Sequence, residues 1–184
     1  MFLAGDSGTG KSWLVQEIYQ PIIKKPGYFI TGQFDRAQQK FPYSAVVKAC
    51  QELLQQILTE SEERFQYWRG QLLTALAPNA QVIIDVIPDV ELIIGKQPAV
   101  PELKKNEAQN RFNLVFIQFL RVFCLEEHPL VIFINDLQWT DSASLKLIQQ
   151  MATVCLRGFS RFASAFGDNC RLRSTIRKAL SQPT

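Results

Sequence analysis

Apolar residues recur along the chain at two spacings, one typical of helices and one typical of buried strands. Apolar side chains at every third or fourth position predict an amphipathic helix over residues 44–59, and a second helix is predicted over 62–76. A third is predicted over 102–125, where phenylalanines are spaced by four, three and four residues. Such a stripe is typical of a helix face in a protein core, although it would also suit a partner helix.

Short apolar runs predict strands at residues 1–4, 27–34 and 129–135. Prolines divide the region between the second and third long helices into short pieces. Beyond Met151 neither a period of 2 nor one of 3.6 is visible. The chain is therefore divided into a domain over residues 1–152 and a basic, poorly patterned tail over 153–184.

Composition favours a folded domain, with 47% hydrophobic and 20% charged residues among 184. The net charge of +3 is uneven, because residues 155–184 carry +5 and residues 1–154 carry −2. A basic tail suits nucleic acid or an acidic surface, but few aromatic residues interleave this one, and a solvated end is favoured over nucleic-acid binding. Four irregularly spaced cysteines indicate reduced thiols, and no membrane span or secretory signal is visible. We therefore expect a cytoplasmic location.

The stretch "GDSGTGKS", residues 5–12, fits the phosphate-binding pattern G-x-x-x-x-G-K-[ST]. Glycines let backbone N–H groups curl around phosphates, and the following helix, predicted over 11–19, adds its N-terminal dipole. Lys11 is expected to reach the β- and γ-phosphates, and the Ser12 hydroxyl to bind Mg²⁺. The nucleotide-binding candidates are Gly5, Asp6, Ser7, Gly8, Thr9, Gly10, Lys11, Ser12 and Trp13.

The second half of such a site is an acidic residue at the end of a neighbouring apolar strand. "LVIFIND" ends in Asn135 and Asp136, so Mg²⁺ would be held by Ser12 with these two side chains, and Asp136 is the catalytic candidate. Asn135 is neutral and a weaker partner for a hard cation, so nucleotide binding is expected to survive better than hydrolysis. No Asn-Lys-x-Asp stretch of a guanine site is present, which favours ATP. Thr140 or Asp141 is expected to cap the helix that follows.

Residues 2 to 150 resemble the Orc1-like AAA ATPase domain that occurs in large bacterial signalling proteins, between serine/threonine-kinase-like and histidine-kinase regions. The stretches that carry the resemblance include "GDSGTGKSWLVQEIY", "GYFITGQFD", "PYSAVVKACQELLQQILTESE" and "HPLVIFINDLQWTDSASLKLIQ". The resemblance implies an α/β P-loop NTPase fold of the ASCE type, a parallel sheet with a large helical insert and with the Walker A and Walker B strands side by side. It places Asn135 at the Mg²⁺-linked acid of Walker B and Asp136 at the acid that polarises water. It also implies a regulatory ATPase with kinase or histidine-kinase modules as partners.

Three other functions compete with a domain that binds Mg²⁺ and ATP. One is a non-functional fragment or a helical interaction module left from a larger multidomain signalling protein, and the short first strand and unpatterned tail favour it. Another is a small-molecule kinase, since P-loops serve such enzymes too, although the long helical insert fits it less well. The third is a nucleic-acid binder that uses the basic tail, which the slightly acidic body disfavours.

Overall fold

The computed structural model describes residues 2–4, 17, 27–36, 42–125, 128, 130–157 and 161–166. The chain forms two compact units. The sheet unit comprises residues 1–49 and 124–184, and the helical unit comprises residues 50–123.

Six helices occur in the described ranges, and the three long ones expected before residue 126 are all present. They are α1 (Ser44–Leu58), α2 (Glu62–Leu76), α3 (Ala80–Ile84), α4 (Asp89–Ile94), α5 (Lys105–Val122) and α6 (Ser142–Arg157). The first residues of α1, to Ala49, belong to the sheet unit. None of the helices in these ranges combines the length and apolarity needed to cross a bilayer.

The core of the helical unit explains the phenylalanine stripe. Phe112, Phe116 and Phe119 of α5 are buried, as is Phe123 directly after the helix. The Trp68 ring of α2 lies 5.2 Å from the Phe123 ring, centroid to centroid, and both side chains are fully buried. Contacts of this kind join α2 to α5, so within this unit the stripe is core.

The sheet has four parallel strands, β1 (Phe2–Ala4), β2 (Tyr28–Gln33), β3 (Leu130–Asn135) and β4 (Arg161–Phe166), in the order β1-β4-β3-β2. The first three confirm the strands expected from apolar runs. β3 is buried at every position except its last residue, as expected for a strand with neighbours on both sides. Because all strands run the same way, their carboxyl ends meet at one edge, where parallel α/β sheets place ligands.

The position of β4 differs from two expectations. The resemblance implied that the Walker A and Walker B strands lie side by side, and this is wrong because β4 separates β1 from β3. Ser164 pairs with Phe2 on one side and Ile134 on the other. The second difference concerns the expected boundary at residue 152, which falls inside α6, while the stretch after it supplies β4. In "RFASAF" apolar and polar residues neither alternate nor form an unbroken apolar run, so no periodicity marks the strand.

A close approach of α1 to β2 fixes the start of the helix against the sheet. Gly32 is buried in β2, opposite Ile134 of β3. A methyl group at Gly32 would collide with the Ala45 carbonyl oxygen of α1 and lie 2.9 Å from Ile134 Cδ1. Only glycine therefore lets the first turn of α1 pack this closely beside the last residues of β2.

Candidate functional site

The candidate site is built around the end of β3. Asn135 ends the strand and is half-buried, and Asp136 follows with φ 57° and ψ 41°. This is the left-handed region, which aspartate tolerates better than most residues because its short side chain makes local hydrogen bonds. A short 3-10 turn, Leu137–Trp139, then leads toward α6. The chain therefore turns sharply at Asp136, at the carboxyl edge of the sheet.

Two glutamine side chains hold the Asp136 carboxylate. Gln33 Nε2 donates to Asp136 Oδ2 at 2.8 Å, and Gln138 Nε2 donates to Oδ1 at 2.9 Å. The β2–β3 register makes the first bond possible, because Gln33 pairs with Asn135 and the Phe34 N–H donates to the Asn135 carbonyl at 3.2 Å. Both carboxylate oxygens thus have a protein donor, although each keeps capacity for a further hydrogen bond.

A cavity of about 400 Å³ opens beside this carboxylate within the sheet unit. Its walls carry two acidic and two basic side chains together with Trp139, and they are formed by Gln33, Phe34, Asp35, Arg36, Lys48, Asp136 and Trp139. The Arg36 guanidinium carbon lies 5.5 Å from the centre of the Trp139 ring, within the range of a cation–π contact. The cavity therefore brings together two carboxylates, two cations and an aromatic face.

A hydrogen-bonded network ties the starts of α1 and α6 together in the sheet unit. Asp141 Oδ1 accepts from the backbone N–H groups of Ala143 and Ser144, each at 2.9 Å, so Asp141 is the cap of α6. The Ser144 hydroxyl donates to Asp141 Oδ2 and accepts from the Tyr43 backbone N–H at 2.7 Å. Burial and the nearby Asp141 charge raise the pKa of Tyr43. Tyr43 has φ 66°, an unusual value for a bulky residue, and it directly precedes α1.

The structure brings together the second half of the predicted site. Asn135 and Asp136 lie at the carboxyl edge as expected, and Trp139 lines the adjoining cavity. Residues 5–13, which include all the predicted phosphate-binding positions, lie outside the described residues, as does nearly all of the helix expected over 11–19. β1 ends at Ala4, immediately before them, at the same edge as Asp136.

Sequence reasoning missed Gln33, Arg36 and Lys48 as parts of this site. The "GQFDR" stretch was visible, since it follows a predicted strand and carries polar side chains where that strand ends. Its partner could not be identified, because only the pairing of β2 with β3 places Gln33 beside Asp136.

Oxygen donors at the site suit a magnesium nucleotide. The Asp136 carboxylate and the Asn135 amide are hard oxygen ligands of the kind that Mg²⁺ takes alongside water and phosphate. Within the described ranges no group of three or more His, Cys, Asp and Glu side chains could hold a metal ion by itself. Two such donors would fit a Mg²⁺ ion that takes its remaining ligands from phosphate and water.

Comparison with known proteins settles the family. Residues 1–157 match the family described as the AAA ATPase domain. The chain belongs to this family.

The AAA domain also has two long relatives among curated proteins. It is 40% identical over 149 residues to "Hybrid signal transduction histidine kinase G" of Dictyostelium discoideum, covering 81% of this chain and 4% of that protein. It is 25% identical over 162 residues to "Histidine protein kinase 1" of Candida albicans, covering 80% of this chain and 7% of that protein. The chain thus spans less than a tenth of the length of either relative. No solved structure matches the chain at a significant level.

Proposed function

We propose that this AAA domain binds ATP with Mg²⁺ through residues 5–12 and hydrolyses it weakly or not at all. The observation that carries the proposal is the end of β3, where a neutral Asn135 precedes an Asp136 whose two oxygens both accept amide hydrogen bonds. The P-loop motif lies within the matched family region, and β1 leads into it from the same edge of the sheet. The ASCE type of P-loop fold is part of this proposal.

The side chains expected at the site would support nucleotide binding better than nucleotide hydrolysis. Lys11 would neutralise the β- and γ-phosphates, and the Ser12 hydroxyl would bind Mg²⁺, which screens phosphate charge when bound. Asn135 would offer that cation a neutral amide oxygen in place of a carboxylate, which weakens its hold. Asp136 would orient the attacking water, but the oxygens that must accept its proton are shared with Gln33 and Gln138. Binding should therefore be stronger than catalysis.

We infer that the domain acts as a regulatory module within a signalling protein. Support comes from the two relatives, whose names describe histidine kinases and in which the matching segment is a small part of a long chain. In this proposal the nucleotide state of the AAA domain is read by kinase or histidine-kinase modules of such a protein. The regulatory signal would then depend on whether a nucleotide is bound more than on its hydrolysis, in keeping with a site whose side chains favour binding over catalysis.

Binding is tested by titrating the protein with a fluorescent ATP analogue in the presence of Mg²⁺. Lys11→Ala should weaken binding about 10- to 100-fold, the effect of losing one charge-assisted hydrogen bond to phosphate. The matched control is Lys105→Ala, which removes an exposed lysine of α5 in the helical unit and should leave the affinity unchanged. The proposal fails if the unaltered protein shows no saturable binding, or if Lys11→Ala binds as tightly as the control.

Hydrolysis is tested separately by phosphate release under saturating ATP. Asn135→Asp supplies the missing carboxylate and should raise the rate, whereas Asp136→Asn should lower any residual rate to background. If the unaltered protein already turns ATP over rapidly and Asn135→Asp changes nothing, the part of the proposal that concerns weak hydrolysis is wrong while the binding part stands.

A further inference from the structure

We propose that Arg36 contacts the terminal phosphate of a bound nucleoside triphosphate and sets the preference of the site for triphosphate over diphosphate. This inference rests on the proposed nucleotide binding and adds to it a residue outside the P-loop and the β3 end. The observation behind it is that the Arg36 guanidinium lies over Trp139 on the wall of the cavity that Asp136 also lines.

The position of Arg36 follows from the strand pairing. Arg36 comes three residues after Gln33, and the side chain of Gln33 already reaches the Asp136 carboxylate. Trp139 comes three residues after Asp136, at the end of the 3-10 turn. The segments that follow β2 and β3 therefore place the Arg36 guanidinium and the Trp139 ring in the wall of one cavity. In the proposed function Asp136 faces the attacking water, so the same cavity adjoins the terminal phosphate.

The contact with Trp139 orients Arg36 without using up its donors. A cation over an aromatic ring is attracted by the ring face, while the guanidinium N–H groups remain able to bind an anion. At an exposed site this attraction is weaker than a charge-assisted hydrogen bond to phosphate, and Arg36 is exposed. A phosphate in the cavity should therefore draw the guanidinium from the ring.

The charges around the cavity explain why a bound triphosphate would need Arg36. Arg36 and Lys48 line this cavity together with Asp35 and Asp136, so the charges of the four side chains sum to zero. A terminal phosphate adds negative charge there, and Asn135 binds the compensating Mg²⁺ more weakly than an acid would. The protein's own cations must then carry a larger share of the neutralisation. A diphosphate ends before this point and would not need Arg36.

The test measures the dissociation constants of ADP and of a non-hydrolysable β,γ-imido ATP by calorimetry, both with Mg²⁺. Arg36→Ala should weaken the triphosphate analogue about tenfold, the effect of one charge-assisted bond, and leave ADP unchanged. Arg36→Lys should recover only part of the loss, because a lysine offers a point charge and not a fork of donors. The control is Arg69→Ala, an exposed arginine of α2 in the helical unit, which should change neither constant. Circular dichroism checks that each variant is folded.

A second readout follows Trp139 directly. The triphosphate analogue should change the intrinsic fluorescence of the unaltered protein more than ADP does, and this difference should be absent in Trp139→Phe and Arg36→Ala. The inference is overturned if Arg36→Ala weakens both nucleotides equally or weakens neither, since each result shows that Arg36 does not read the terminal phosphate. If the unaltered protein binds neither nucleotide, the proposed function itself is refuted and this inference falls with it.

Discussion

Replacing Gly32 with alanine is the most direct test of how the candidate site is assembled. The added methyl group would overlap the Ala45 carbonyl oxygen and approach Ile134 Cδ1 to 2.9 Å, a distance that real Cβ atoms essentially never show. The main obstacle is the backbone of α1, which cannot move away by a simple rotation. Either α1 must lift from β2 or β2 must shift along β3, and both changes disturb the hydrogen bond of Gln33 to Asp136 and the buried contacts of Tyr43.

The size of the effect follows from this geometry. Overpacking a close-packed interior typically costs about 1–3 kcal/mol, and an obstacle of main-chain atoms places Gly32→Ala near the upper end, at about 3 kcal/mol. For a chain of this length, each kcal/mol lowers the unfolding temperature by about 2–4 °C, so a fall of about 6–12 °C is expected. Nucleotide affinity should fall as well, because Gln33 directly follows the altered residue.

Gly70→Ala is a matched control that should raise the unfolding temperature, whereas Gly32→Ala should lower it. Gly70 lies in the interior of α2, and a methyl group built on it would meet nothing within 4 Å. Alanine is more favourable than glycine inside a helix by about 0.5–1 kcal/mol, so the unfolding temperature should rise by about 1–4 °C. Both variants make the same chemical change, and only the surroundings differ.

Thermal unfolding followed by far-ultraviolet circular dichroism compares the two variants with the unaltered protein. The reasoning is refuted if Gly32→Ala unfolds at or above the temperature of the unaltered protein, because α1 would then not approach β2 closely. It is equally refuted if Gly70→Ala is destabilised as much as Gly32→Ala, because the loss would then reflect replacement of any glycine.

Three further predictions concern the surroundings of the site. Asp141→Ala removes the cap of α6 and the acceptor of the Ser144 hydroxyl and should lower the free energy of unfolding by about 0.5–2 kcal/mol in urea denaturation, with Asp141→Asn closer to the unaltered protein. Burial raises the pKa of the Cys50 thiol well above its ordinary value, so alkylation followed by peptide mass spectrometry should label Cys50 far more slowly than the half-buried Cys124; equal rates would contradict the burial. Folding raises the pKa of the Tyr43 phenol as well as that of the Cys50 thiol, so the unfolded state loses both protons at a lower pH than the folded state does. The free energy of unfolding should therefore fall as the pH rises through the ordinary pKa values of 9.0 for the thiol and 10.0 for the phenol, by up to about 1.4 kcal/mol per pH unit and group. Tyr43→Phe should remove the phenol part of this slope.

The sequence was most informative where one element carries its own pattern. The helix over 44–59 and the strand ending in Asn135 were predicted almost to the residue, because a long amphipathic segment and an unbroken apolar run are local signals. β4 was missed because its residues neither alternate nor form an unbroken apolar run, and its place in the sheet depends on pairing with strands more than 25 residues away in sequence.

The same distinction applies to the candidate site. Asp136 was found because a motif places it directly after a buried strand. Gln33 was missed, because it lies 103 residues from Asp136 and becomes its partner only through the register of β2 against β3. No periodicity in either segment records that pairing. Polar residues that end a predicted strand, as in "GQFDR", are therefore worth testing as a group even before their partners are known.

The position of β4 bears on how the two halves of the site can communicate. β4 pairs with β1, which leads into the P-loop, and with β3, which leads into Asn135 and Asp136. In the proposed function, a change in how a nucleotide sits on the P-loop would reach β3 either through the bound phosphates or across this intervening strand. Gln33 and Arg36 approach the cavity from β2, which lies on the other side of β3 from β4. The end of β3 is therefore the point at which signals from either side of the sheet would meet.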